Sequence, residues 1–109
     1  MMNKEETINR IKESLQKMDG AIQELEAIQE SIKEFGKLSG DEDILAPISN
    51  GIFVEASLKN NKTLKINIGD GVIVDKTIPE AQELIKKQIS EINKSKEKAV
   101  SEYNKVKNV

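Results

Sequence analysis

A reactive site needs a nucleophile, a proton carrier or a set of metal ligands, and this 109-residue chain is poor in all three. It contains no histidine and no cysteine. That removes the commonest general base, every thiolate or imidazole metal ligand, and any Ser/His or Cys/His arrangement. The remaining candidates are carboxylates. Glu5/Glu6 and Glu24/Glu26 fall on polar helix faces. Asp41-Glu42-Asp43 would attract a cation, but it lacks the spacing and the closing bidentate glutamate of a calcium loop. Gly69-Asp70-Gly71 fits neither the Walker nor the Rossmann glycine pattern and reads as a tight turn. The chain is expected to be no enzyme and to use no cofactor and no metal.

What the residues do specify is a pair of long helices. Ile8, Ile11, Leu15, Met18, Ile22 and Leu25 recur at alternating spacings of three and four, the seam of a coiled coil. Near the C-terminus Ile85, Ile89, Ile92, Lys96, Ala99, Tyr103 and Val106 repeat the pattern, with Lys96 the one polar member. An antiparallel register pairs Ile8 with Val106, Ile11 with Tyr103, Leu15 with Ala99, Met18 with Lys96, Ile22 with Ile92 and Leu25 with Ile89. After Leu25 the apolar residues are Ile28, Ile32 and Phe35, so the heptad is interrupted by a stammer. Gly20 lies inside the helix at a cost of ~1 kcal/mol relative to alanine, so a bend is expected there.

Between the helices the period changes to two. Ile44 to Ile48 form a short strand that Pro47 restricts to an edge, and Ser49-Asn50-Gly51 is a turn. Ile52, Val54, Ala56 and Leu58 alternate with Phe53, Glu55, Ser57 and Lys59. Asn60-Asn61 suits a two-residue turn with positive φ at both positions, leading into Leu64, Ile66 and Ile68; Gly69-Asp70-Gly71 then turns into Val72-Ile73-Val74. Thr77 and Glu80 form a capping box for the closing helix, with Pro79 in its first turn. The expected architecture is α+β: a long antiparallel coiled-coil hairpin with two β-hairpins inserted between its helices. It is a single domain over residues 1–109, with the first helix in 1–40, the hairpins in 44–76 and the second helix in 77–109.

Charge supports that pairing. The chain carries a net charge of −2, but residues 1–43 hold six Lys/Arg against eleven Asp/Glu, whereas residues 86–109 hold seven Lys against three Glu. Oppositely charged helices favour docking on each other over self-association. The neighbouring acidic helix cancels the field of the basic one, and only Tyr103 could stack on a base, so a nucleic-acid partner is not expected. No apolar run approaches the ~20 residues of a membrane span and the N-terminus lacks a signal-peptide core, so no membrane partner and a cytoplasmic location are expected.

Two apolar sets lack an intramolecular destination. Four short strands with an apolar face cannot bury it against helices whose stripes are used on each other, so the hairpins require other subunits. At the free end of the helix pair, Met1, Met2, Ile8 and Ile11 meet Val100, Tyr103, Val106 and Val109. Fraying there would expose apolar surface with little sequence preference.

The run Ile44-Leu45-Ala46-Pro47-Ile48-Ser49-Asn50-Gly51-Ile52-Phe53-Val54-Glu55-Ala56, continuing to Ile66-Asn67-Ile68-Gly69-Asp70-Gly71-Val72, resembles the linker hairpins of prefoldin, specifically an archaeal α-class subunit with two hairpins. The resemblance covers essentially the whole chain, although the arms are short for the family. It implies an ATP-independent holdase in which two α-class and four β-class subunits join their hairpins into a β-barrel body. It further implies that coiled coils hanging from the body hold unfolded clients for delivery to a group II chaperonin. Assembly then falls on Ile52, Val54, Ala56, Leu58, Leu64, Ile66, Ile68, Val72 and Val74, and client binding on the terminal apolar set. A self-assembling, filament-forming scaffold is the alternative, and a coiled-coil adaptor for one partner is a third reading.

Overall fold

The computed structural model describes residues 3–108. The order is α1 (Lys4–Phe35), β1 (Asp43–Ser49), β2 (Ile52–Ser57), β3 (Thr63–Asn67), β4 (Ile73–Thr77) and α2 (Ile78–Lys107). These elements form two compact units, one from the chain up to Gln29 and from Glu83 onward, the other Glu30–Gln82.

The helical unit is the expected antiparallel pair. Asn3 caps α1: its Oδ1 accepts the Glu6 N–H at 2.8 Å, which satisfies a donor that has no partner within the helix. Ile11, Ile85 and Ala99 are buried, and Ile8, Leu15, Met18, Ile22, Leu25, Ile89, Ile92, Tyr103 and Val106 are half-buried. Lys96 Nζ meets Asp19 Oδ1 at 2.6 Å, and Lys4 Nζ donates to the Lys107 carbonyl at 3.4 Å. Both contacts fit the expected register within a few residues.

The stammer is corrected. Ile28 is 46% exposed, whereas Gln29 is half-buried. The strict alternation of three and four therefore continues from Leu25 through Gln29 to Ile32, with an amide side chain on the seam. Following apolar residues alone placed the phase one residue early. The helix also continues unbroken through Gly20.

In the second unit α1 ends at Phe35, short of the expected bound at residue 40, and tightens into turns in which Lys37 N–H donates to Glu34 C=O and Leu38 N–H to Phe35 C=O, each at 3.1 Å. Such three-residue bonds use carbonyls that a helix end leaves unpaired. β1 pairs antiparallel with β2, with a register shift between Pro47 and Ser49, and Gly51 supplies a φ of 75° at the turn. The pairing extends past β2, because Leu58 N–H donates to Glu42 C=O at 2.9 Å and Asp41 N–H to Leu58 C=O at 2.8 Å. β3 pairs antiparallel with β4. Asp70 and Gly71 have φ of 50° and 75°, and Val72 N–H donates to Gly69 C=O at 2.9 Å. Positive φ at both central residues defines the primed turn that matches strand twist.

The two hairpins are β1–β2 and β3–β4, so the expected hairpin across Asn60-Asn61 is not formed. Neither asparagine has positive φ. Asn60 Oδ1 instead accepts the N–H groups of Lys62 (2.6 Å) and Thr63 (3.3 Å), a side-chain turn that competes with hairpin closure. Asn61 donates its side-chain amide to the Leu38 carbonyl, and Ile78 N–H donates to Lys62 C=O at 3.3 Å. This loop therefore ties the strands to both helix ends.

The capping box of α2 is present. Glu80 N–H donates to Thr77 Oγ1 at 3.2 Å and Thr77 N–H to Glu80 Oε1 at 3.0 Å. The Thr77 N–H, then its hydroxyl and the Lys76 ammonium, hold the Glu80 carboxyl below its ordinary range. A lowered folded value means that this contribution is complete above the unfolded carboxylate range and is lost as pH falls through the lowered value. The Glu80 carboxyl is expected to titrate, by NMR, at lower pH than glutamate in an unstructured peptide. Thr77→Ala removes the hydroxyl and keeps the backbone N–H, so it should move the midpoint only part of the way back up; an unmoved midpoint would remove the hydroxyl as a cause.

Candidate functional site

The hairpins carry most of the exposed apolar surface. Side chains alternate across a strand, so the register sorts them onto faces. In β1–β2, Ile44 faces Ala56 and Ala46 faces Val54, and Ile52 and Leu58 extend this face by parity. In β3–β4, Ile66 faces Val74 and Leu64 lies opposite the Lys76 stem. Ile68 N–H donates to Val72 C=O at 3.0 Å, which adds that pair to the same face. Every residue expected to serve assembly therefore lies on one face of its own hairpin. Ile52, Val54, Ile68 and Val72 are exposed, and Ala56, Leu58, Leu64, Ile66 and Val74 are half-buried.

The opposite faces differ. On β3–β4 that face is largely polar, with Lys65 Nζ on Asp75 Oδ1 at 2.8 Å and Asn67 opposite Ile73. On β1–β2 it holds Leu45 and Phe53, 65% and 55% exposed, with Pro47 opposite Phe53. Ile48, also exposed, sits at the register shift. Sequence reasoning left Leu45, Ile48, Phe53 and Ile73 out of the assembly set. The available signal was adjacency: Ile44-Leu45 and Ile52-Phe53 are consecutive apolar residues, the pattern of a strand covered on both sides. Each sheet has only two strands, so each hairpin leaves unpaired edge groups on both sides.

The terminal apolar set divides differently. Ile11 is buried and Ile8, Tyr103 and Val106 are half-buried in the closed seam, so they are not free surface as the chain stands. Val100 is 40% exposed. Met1, Met2 and Val109 lie outside the described residues. Along one side of the seam the helices leave an open groove of about 560 Å³ floored by Ile11, Met18, Ala99 and Val106. Ser14, Ser95 and Ala99 also line this groove. Sequence reasoning missed it because periodicity identifies which residues meet, but not how well their volumes fill the space.

Among the described residues no cluster of three or more acidic groups is placed to hold a metal ion, and no helix is long and apolar enough to cross a membrane.

Comparison with known proteins gives a consistent result. A family model described as "Prefoldin subunit" matches residues 4–109. The chain is 36% identical over 77 residues to "Prefoldin subunit alpha" of Methanopyrus kandleri, covering 71% of this chain and 49% of the relative. It is 31% identical over 72 residues to the protein of the same name from Thermofilum pendens, covering 66% and 56%. The chain thus spans about half the length of these curated relatives. A cryo-EM structure of filamentous PFD from Methanocaldococcus jannaschii superposes with a TM-score of 0.87 at 14% identity, covering 96% of this chain and 87% of that one. At that identity the likeness is one of fold.

The Asp19–Lys96 pair yields a prediction for the helices. Lys96 occupies a seam position while its side chain remains 39% exposed, and a polar residue there favours one register at a cost in stability. Lys96→Leu is expected to raise stability by about 1 kcal/mol through added apolar burial. Asp19→Ala should lower it by no more than ~1 kcal/mol, as for other solvent-exposed ion pairs. Urea unfolding measures both, and destabilisation by Lys96→Leu would contradict this account of the seam.

Proposed function

The chain belongs to the prefoldin family, and from that premise we propose that it is an α-class chaperone subunit that assembles through its hairpins and holds unfolded proteins without nucleotide. The observation that carries the reading is the apolar surface of the two hairpins, exposed at Ile52, Val54, Ile68 and Val72 and flanked by unpaired strand edges. Strand edges and apolar faces of this kind are satisfied together when hairpins from several subunits close into a barrel. The proposed assembly joins two such chains with four β-class subunits in the cytoplasm. Clients are held near the free ends of the helix pair, by the groove and the terminal apolar residues, and pass to a group II chaperonin. Capture by apolar surface requires no bond to be made or broken, so no nucleotide, cofactor or metal enters the cycle.

A second reading is self-assembly into a filament. It is favoured by one observation, the likeness in fold to filamentous PFD, and it uses the same strand edges with copies of this chain in place of β-class subunits.

Native mass measurement of the chain alone, and mixed with a β-class subunit, separates the two readings. A defined hetero-hexamer supports the first; an open series of homo-oligomers that ignores the β-class chain supports the second. In either case Val54→Asp with Ile66→Asp places charges in the closed face, where burial without a partner costs several kcal/mol. The double variant is expected to stop at monomers or dimers while keeping its helical circular dichroism. Full assembly by this variant would overturn the interface. Suppression of client aggregation should persist without ATP and in the presence of chelator.

A further inference from the structure

We propose that the groove between α1 and α2 accepts an extended apolar client segment with acidic residues beside its apolar ones. This rests on the holdase reading and specifies the class of segment it would hold. The floor formed by Ile11, Met18, Ala99 and Val106 is apolar, and the groove, of about 560 Å³, is open along its length to an extended segment. The groove is present while the seam is closed, with Ile11 and Ala99 still buried. Capture there does not require the helix ends to separate.

The rim supplies the selectivity. Arg10 from α1 and Lys98 and Lys105 from α2 line the groove, against the single carboxylate of Glu102. Among the described residues these three cations make no ion pair, in contrast to Lys65 on Asp75 and Lys96 on Asp19. Their flexible stems can lie along the apolar walls while the charged heads stay in water. The lining itself thus carries three cations against one carboxylate although the whole chain is net −2. An apolar segment flanked by Asp or Glu gains both the floor and the rim, whereas one flanked by Lys or Arg meets like charge. The thioether of Met18 adapts to different side chains, so the flank rather than the apolar sequence sets the preference.

The test uses the full chain in its assembled form and three fluorescent peptides that share one apolar core and differ only in flanks of Glu, Asn or Lys. Anisotropy is expected to show the Glu-flanked peptide bound about tenfold more tightly than the Lys-flanked one at low salt, as several exposed charge pairs together would give. High salt should close that gap and leave the apolar binding in place. Reversing Arg10→Glu, Lys98→Glu and Lys105→Glu together should invert the order of the peptides. Reversing Lys12, Lys33 and Lys86 to Glu, an equal change in charge at residues that do not line the groove, should preserve it. Ser95→Glu, a single change on the groove wall, should weaken the Glu-flanked peptide in the same direction as the triple variant. Equal binding of all three peptides, or an order that the groove variants leave unchanged, overturns this inference but leaves the holdase reading intact. Failure to bind any peptide, together with failure to suppress client aggregation, overturns both.

Discussion

Each long helix carries one narrow apolar stripe, and most of the apolar surface of the two stripes is spent on their pairing. From Ile8 to Leu25 on α1 and from Ile85 to Val106 on α2, the buried and half-buried positions follow a spacing of three and four, with half-buried Ala21 added beside Ile22. The remaining helix surface is dominated by charged and polar residues. Little apolar helix surface is then left to cover the β-hairpins, whose Ile52, Val54, Ile68 and Val72 stay exposed. Their exposed valines and isoleucines follow from how the helices use their own apolar residues.

The pairing is specified by more than the apolar stripe. An acidic first helix and a basic second helix favour the intramolecular hairpin over homotypic coils. Within the seam, Lys96 and Asp19 mark one register. Exposed ion pairs contribute little to stability, so their physical role is selection among alternative pairings. Beside the seam lies the groove, whose lining includes the small residues Ser14, Ser95 and Ala99.

The hairpins are not equivalent. β3–β4 has one apolar face and a largely polar one carrying the Lys65–Asp75 pair, as suits a sheet with water on one side. β1–β2 is apolar on both faces, through Ile44, Val54 and Ala56 on one and Leu45 and Phe53 on the other. A strand pair of that kind is suited to a position between two layers. The first hairpin thus has more apolar surface to cover in an assembly than the second.

The two helices, the cap at Thr77 and the apolar face of each strand were legible in the sequence, because each is a local consequence of spacing or of a side chain bonding its own backbone, and the antiparallel register followed from matching the two spacings. Prefoldin-like organisation was legible for the same reason, since its signal is the order of such local elements. Three features depended on tertiary structure. Gln29 takes the seam position beside exposed Ile28, because continuing the heptad phase outweighs the hydrophobicity of one side chain. Asn60 and Asn61 make side-chain bonds to a turn and to the Leu38 carbonyl in place of a hairpin, because strand pairing is decided by which partner completes the backbone bonds. The groove is lined from both helices, so which residues face it is set by how the two pack, and residue spacing along one helix does not contain that.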